Sequence, residues 1–271
     1  MNTMDGGGSV ADGTKRETMR LDRYLSLCGV ASRSETARAV RHGEVMIDGI
    51  TVRRSDCPVD PDGDTVIFRG KPVVYRRYTY VMLYKPDGVV SATEDRLAGE
   101  RTVLDLLPPE LLRVRPGLFP CGRLDKHTTG LMLLSNNGQL AHRLLSPARH
   151  VDKAYVFTVK FPLSDEDISA LQAGVPISAR DGETGYVTAP CRIDITGVRD
   201  GRMTGRITLH EGKYHQIKRM MEARHNQVTA LSRVAFGPLT LDPNLEPGEW
   251  RLLTDEEREE LEACGGTPDQ P

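Results

Sequence analysis

Cys121-Gly122-Arg123-Leu124-Asp125-Lys126-His127-Thr128-Thr129-Gly130-Leu131-Met132-Leu133-Leu134-Ser135 is the stretch on which the reading of this chain turns. It sets an Arg and an Asp between two glycines, then runs uncharged from Thr128 to Ser135. The apolar run 131–134 reads as a strand. A carboxylate beside a buried strand is unfavourable unless it is paired or used. Asp125 is therefore either a turn cap at a strand edge or a working group. Three further motifs stand around it: Lys85-Pro86-Asp87-Gly88 upstream, Lys153-Ala154-Tyr155 downstream, and Glu211-Gly212-Lys213-Tyr214-His215-Gln216-Ile217-Lys218-Arg219-Met220 later.

Composition narrows the classes. The 271 residues carry 36 Lys+Arg and 38 Asp+Glu, a formal net charge of -2, and are 38% hydrophobic. Length allows one or two domains. No segment approaches the apolar run of a membrane span. Residues 1–18 contain Gly6-Gly7-Gly8-Ser9 and lack the apolar segment of a signal peptide, so they read as a disordered tail. Five scattered cysteines (Cys28, Cys57, Cys121, Cys191 and Cys264) fit free thiols in a reducing cytoplasm, and no cluster has metal-ligand spacing. Charge is uneven: residues 15–54 hold nine basic residues against five acidic ones, whereas 255–262 is mostly acidic. A local basic face matters more to an RNA backbone than the global sum.

Along the chain, Leu21, Tyr24, Leu25 and Cys28 recur at helical spacing, predicting a helix over 21–30. Ser32-Arg33-Ser34-Glu35 is a capping-box pattern opening a second helix that ends near Gly43. Asp48-Gly49 between short apolar runs is a hairpin turn, and another strand follows over 65–68. Residues 72–77 read as a linker. Beyond it, strands are expected over 80–84, 131–134, 155–159, 192–195, 206–209 and 227–231, with helices over 139–145, 165–173 and 214–224. No strand-helix-strand rhythm repeats, so the class is α+β with a mixed, mostly antiparallel sheet. No Gly-rich phosphate loop follows a strand, which leaves a nucleotide-binding enzyme without support.

The four motifs, in this order and spacing, resemble the pseudouridine synthases that act on ribosomal RNA, specifically the small-subunit branch, from about Met19 to Asp255. The N-terminal module resembles the alpha-L (S4-like) RNA-binding domain. The resemblance implies an alpha-L domain over 19–75 and a synthase catalytic domain over 76–262, while residues 263–271, with Gly265-Gly266-Thr267-Pro268, read as a disordered tail. Isomerising uridine breaks the bond from base nitrogen to sugar, and the base rotates and rejoins through carbon. That calls for a fixed carboxylate but no cofactor or metal.

On this resemblance Asp125 is the catalytic carboxylate, Lys218 the basic residue paired with it, and Tyr155 the ring that stacks on the base. Lys218 is a point charge where an Arg would be a fork. Arg123 would fill the stack vacated by an extruded uridine or hold the neighbouring phosphate. Lys85 and Arg219 are further RNA contacts, and Arg33, Arg38, Arg41 and Arg53 match the basic surface of the alpha-L domain. His127 stands where relatives usually have an acidic or amide residue. The expected partner is 16S ribosomal RNA, naked or in an assembling small subunit, and the expected state is a monomer. Large-subunit relatives tend to carry Asn-Arg-Gln-Val-Arg-Arg where this chain has Tyr214-His215-Gln216-Ile217-Lys218-Arg219, which favours the small subunit over 23S RNA. The remaining class is a non-catalytic RNA-binding assembly factor.

Overall fold

The computed structural model describes residues 18–75, 77–94, 99–179, 184–199 and 201–264. The disorder expected at the two ends falls, for 1–17 and 265–271, outside the described residues. The chain divides into two compact units, Met1–Arg77 and Tyr78–Pro271.

In the first unit, α1 (Leu21–Leu27) and α2 (Arg33–Arg41) pack through Leu21, Tyr24, Leu25, Ala39 and Val40. The capping box forms as read. Ser32 Oγ accepts the Glu35 N–H at 3.3 Å and a Glu35 carboxylate oxygen accepts the Ser32 N–H at 2.8 Å. The first helix stops three residues earlier than expected, where Gly29 turns left-handed. Strands β1 (Val45–Ile47) and β2 (Ile50–Thr51) join through Asp48 and Gly49, with φ of 49° and 77°. That is the left-handed pair which a two-residue hairpin demands. β3 (Val66–Phe68) and β4 (Lys71–Val73) complete a sheet in the order β2-β1-β3-β4. The linker expected over 72–77 is therefore corrected: Pro72 and Val73 pair with β3, and the Val73 carbonyl accepts the Tyr24 hydroxyl.

The second unit is built on one nine-stranded sheet. Its main path uses β5 (Tyr80–Lys85), β6 (Thr129–Ser135), β7 (Lys153–Val159), β8 (Arg192–Arg199), β9 (Arg202–Leu209), β10 (Val228–Phe236) and β11 (Trp250–Leu252). The order is β8-β9-β7-β10-β6-β5-β11. Every pairing along it is antiparallel except β6 with β10, which is parallel and limited to Ser232↔Thr129 and Arg233↔Gly130. The α+β class with a mixed, mostly antiparallel sheet is thus the observed one. β10 runs five residues past the expected end, and these extra residues carry the parallel seam.

Both faces of the central strands are covered. Val81, Leu83, Met132 and Leu134 face a core shared with Phe157, Ile207 and the helix α5 (Gln216–Glu222), where Ile217, Met220 and Met221 are buried. Tyr80, Met82, Leu131 and Leu133 face α3 (Gly138–Leu145) and the C-terminal helix α6 (Asp255–Cys264). Two covered faces explain why 80–84 and 131–134 read as unbroken apolar runs rather than alternating ones. The helix α4 (Asp165–Ala173) has the expected limits, whereas α6 continues two residues beyond the boundary expected at 262.

Two sites in this unit leave little freedom. Gly130 has φ 100°, and a Cβ there would lie 2.2 Å from the Arg233 carbonyl oxygen. Lys85 is fully buried, and its ammonium donates to the carbonyls of Pro86, Lys126 and Thr128 at 3.2, 3.0 and 2.8 Å. Burying an ammonium costs several kcal/mol. Three charge-assisted hydrogen bonds at about 1.5–3 kcal/mol each offset that. Burial pushes the Lys85 ammonium down to about 8, with Asp87 and Asp125 opposing.

Gly130→Ala is expected to destabilise the second unit by about 4 kcal/mol, the range of severe backbone clashes, read by urea denaturation. Lys85→Met is expected to lower stability at pH 7 by roughly 1–3 kcal/mol, because carbonyls lose their donor. The gap also has a pH signature. A lysine whose folded value is about 8 and whose ordinary value is 10.5 binds fewer protons folded than unfolded between those limits. Its unfavourable charge burial is fully present below pH 8 and is relieved as pH rises. Wild type should therefore gain stability relative to Lys85→Met between pH 8 and 10, in paired denaturation curves.

Candidate active site

The segment 122–128 leads into β6 and is held by its backbone. Gly122 has φ 89°, and Leu145 Cδ2 sits 2.8 Å from where a Cβ would be. Ser91 Oγ donates to the Leu124 carbonyl at 2.7 Å and accepts the Leu124 N–H at 3.0 Å. The Thr128 N–H closes a turn on the Asp125 carbonyl at 3.0 Å. The Gly88 N–H and the Lys85 ammonium both reach the Lys126 carbonyl. The upstream Lys85–Gly88 motif is therefore the brace of this loop. With its main chain satisfied, Asp125 is free to present its carboxylate to a cavity. His127 faces outward and pairs with Asp87 at 3.0 Å.

Two groups converge on that carboxylate from the Glu211–Met220 motif. Lys218 Nζ donates to Asp125 Oδ2 at 2.6 Å, and His215 Nε2 lies 3.4 Å from Oδ1. The pair is half-shielded, with side chains 28% and 26% exposed for Lys218 and Asp125. His215 precedes α5 with φ 50°, and its ring stacks on Tyr214 at 3.8 Å between centroids. The turn before it is tied by Gln216, which bonds Glu211 and accepts the Lys213 N–H. Tyr155 stands on β7 with 9% exposure and forms part of the same wall. Asp125, Tyr155, Lys218 and His215 all line one cavity of about 290 Å³.

The expected RNA contacts divide. Arg123 is exposed and lines the cavity. In the first unit Arg33, Arg38 and Arg41 lie on α2 and Arg53 just beyond β2, all four exposed, and none of them forms an ion pair among the described residues. Lys85 and Arg219 are corrected. Lys85 is buried under the loop as described. Arg219 is 6% exposed and donates to the Ser178 and Tyr214 carbonyls at 2.7 and 3.4 Å. Both hold main chain rather than facing solvent.

Other groups in the cavity were not singled out from the sequence. They include His215, Thr128, Lys153 and Arg233. Three of them stand inside quoted motifs, so proximity to Asp125, Tyr155 and Lys218 was their available signal. Arg233 had none, since it lies outside every motif and beyond the strand expected over 227–231. Five Lys and Arg side chains line the cavity against two carboxylates, Asp125 and Glu211. The cavity is thus cationic in a chain whose net charge is -2.

Comparison with known proteins accords with this geometry. The model of the RNA pseudouridylate synthase family matches residues 79–223, and that of the S4 domain matches 19–66. An uncharacterized RNA pseudouridine synthase of Bacillus subtilis, YtzG, is 48% identical over 239 residues, which are 88% of this chain and 96% of that protein. The ribosomal small subunit pseudouridine synthase A of Pseudomonas aeruginosa is 40% identical over 245 residues, 88% of this chain and 98% of that one. A crystal structure of a pseudouridylate synthase aligns with a TM-score of 0.59 at 32% identity, covering 90% of this chain and 99% of that chain. With an S4 domain ahead of a synthase domain, and identity spread over most of its length, the chain belongs to the RNA pseudouridylate synthase family, isomerases that act on RNA.

Proposed function

We propose that this enzyme converts a specific uridine of 16S ribosomal RNA to pseudouridine, with Asp125 as the catalytic carboxylate. The observation that carries the assignment to Asp125 is its ion pair with Lys218 across 93 residues, inside a cavity that Tyr155 also lines. The small-subunit assignment is supported by relatives named for that substrate, at 40% identity over nearly their whole length. The late motif, Tyr214 to Arg219, supports it too.

The chemistry asks little more than position. The bond from base N1 to sugar C1′ breaks, the base turns, and C5 bonds to C1′. The C5 proton leaves and N1 ends protonated, so atoms and electrons balance without an outside reductant. Asp125 serves as nucleophile or as the charge that supports the separated sugar and base. In a partly desolvated cavity a cation placed against the carboxylate interacts with it more strongly than it would in bulk water. Lys218 supplies that cation, and His215 approaches the other oxygen. Tyr155 offers its ring to the base and its hydroxyl to a proton at C5. Arg123, at the exposed side, takes the place of the extruded uridine or the adjoining phosphate. The S4 domain's exposed arginines add sequence-independent grip on the RNA backbone.

The test is pseudouridine mapping of ribosomal RNA by carbodiimide labelling and primer extension, in cells with and without the gene. One site in 16S RNA should vanish and return with wild type but not with Asp125→Asn. Loss of a site in 23S RNA would overturn the substrate assignment, and full function of Asp125→Asn would overturn the mechanism. In vitro, Asp125→Asn should lower the single-turnover rate by about 10²–10⁴-fold at unchanged RNA binding. Lys218→Met should lower kcat by roughly 10²-fold, and Lys218→Arg should recover part of it.

A further inference from the structure

Beyond the Asp125–Lys218 pair, the same cavity holds buried cations that form no ion pair among the described residues. Arg233 is 2% exposed. Its Nε donates to the Leu131 carbonyl at 2.8 Å, and its guanidinium lies 5.0 Å from the centroid of the Phe236 ring. Its Nη2 is buried without a hydrogen-bond partner among the described residues. Lys153 is 8% exposed, lies 5.6 Å from the same ring centroid, and donates to the Val151 carbonyl. Burial, then the Arg233 charge, pushes its ammonium down. The adjacent Asp152 carboxylate is engaged with His210. Thr128, 2% exposed, also has a buried hydroxyl without a partner among the described residues. All three line the cavity.

Contrast Lys85, whose three donors meet three carbonyls. A buried guanidinium with an idle donor, beside a buried ammonium, is an arrangement that an anion completes. A uracil carbonyl would satisfy a donor but leave both charges unneutralised. The RNA substrate carries one anion at every nucleotide.

We propose that Arg233, with Lys153 and the Thr128 hydroxyl, forms a phosphate-binding subsite that takes a phosphodiester of the RNA strand at or next to the target nucleotide. The subsite rests on the reading of this cavity as the substrate site. It anchors the strand through charge, while Asp125 acts on the nucleotide. Arg233 is then a substrate-binding residue, and Gly130 is glycine partly because the Arg233 backbone needs its space.

The test is the salt dependence of binding of a short single-stranded oligouridylate to the full-length protein. Removing one cation from a phosphate should flatten the slope of log K against log salt by about 0.7. Arg233→Gln and Lys153→Met should each flatten it relative to wild type, with thermal melts confirming that each variant is folded. A scan of single methylphosphonate linkages should show one position that weakens wild-type binding and leaves Arg233→Gln binding unchanged. Lys153→Met preserves the test if Arg233→Gln does not fold. Equal slopes in wild type and folded variants, or a scan in which no position behaves this way, would overturn the subsite. These readouts need no turnover, so they stand apart from the pseudouridine map. A flattened slope with no 16S site mapped would refute the proposed substrate and keep the phosphate subsite.

Discussion

At the seam between β6 and β10 the carbonyl of Arg233 occupies the place where a side chain on Gly130 would begin. Only two residue pairs make this parallel contact, yet it joins the antiparallel set β8-β9-β7-β10 to the set β6-β5-β11. The loop bearing Asp125 enters β6 immediately before the seam, and Leu231 and Arg233 line the cavity from its other side. The closeness of two backbones thus sets where the carboxylate, the aromatic wall on β7 and the buried guanidinium meet. Close packing transmits any shift there directly, because interiors deform little.

The site rests on a division of labour among cations. Lys85 is spent on main chain, three carbonyls for three N–H groups, and it stiffens the loop. Arg219 does the same for the segment around Ser178. Lys218 and His215 address the carboxylate itself. In low dielectric such interactions count for more than on the surface, and in the role proposed for Asp125 pre-placed charge needs no reorganisation when the reaction starts.

How much of this was legible in the sequence follows from the range of the interactions involved. Local chemistry reads well. The Ser32–Glu35 box, the Asp48-Gly49 turn and the limits of α4 depend on residues a few positions apart. The apolar runs of β5 and β6 likewise declare a strand buried on both faces. The ion pair of Asp125 with Lys218 spans 93 residues and came only through the resemblance of the separated motifs. Lys85 and Arg219 were misread as RNA contacts because a basic residue in a polar motif looks the same whether its donors meet phosphates or carbonyls. Arg233 was missed for the complementary reason. Nothing local marks an arginine on a strand as buried, since its burial arises from the seam with a segment 103 residues earlier.

The C-terminal helix α6 has a further consequence. Its sequence from Asp255 to Cys264 carries six acidic residues and one arginine, and it is fastened to the β5 side of the sheet by the hydrogen bond from Tyr80 to Glu262 and by buried Leu261. A polyanion nearing that flank meets repulsion, whereas the Asp125 cavity attracts it. The near-neutral total conceals a charge asymmetry between this helix and the cavity: an asymmetry of this kind biases the orientation in which a polyanion approaches, and salt weakens the bias.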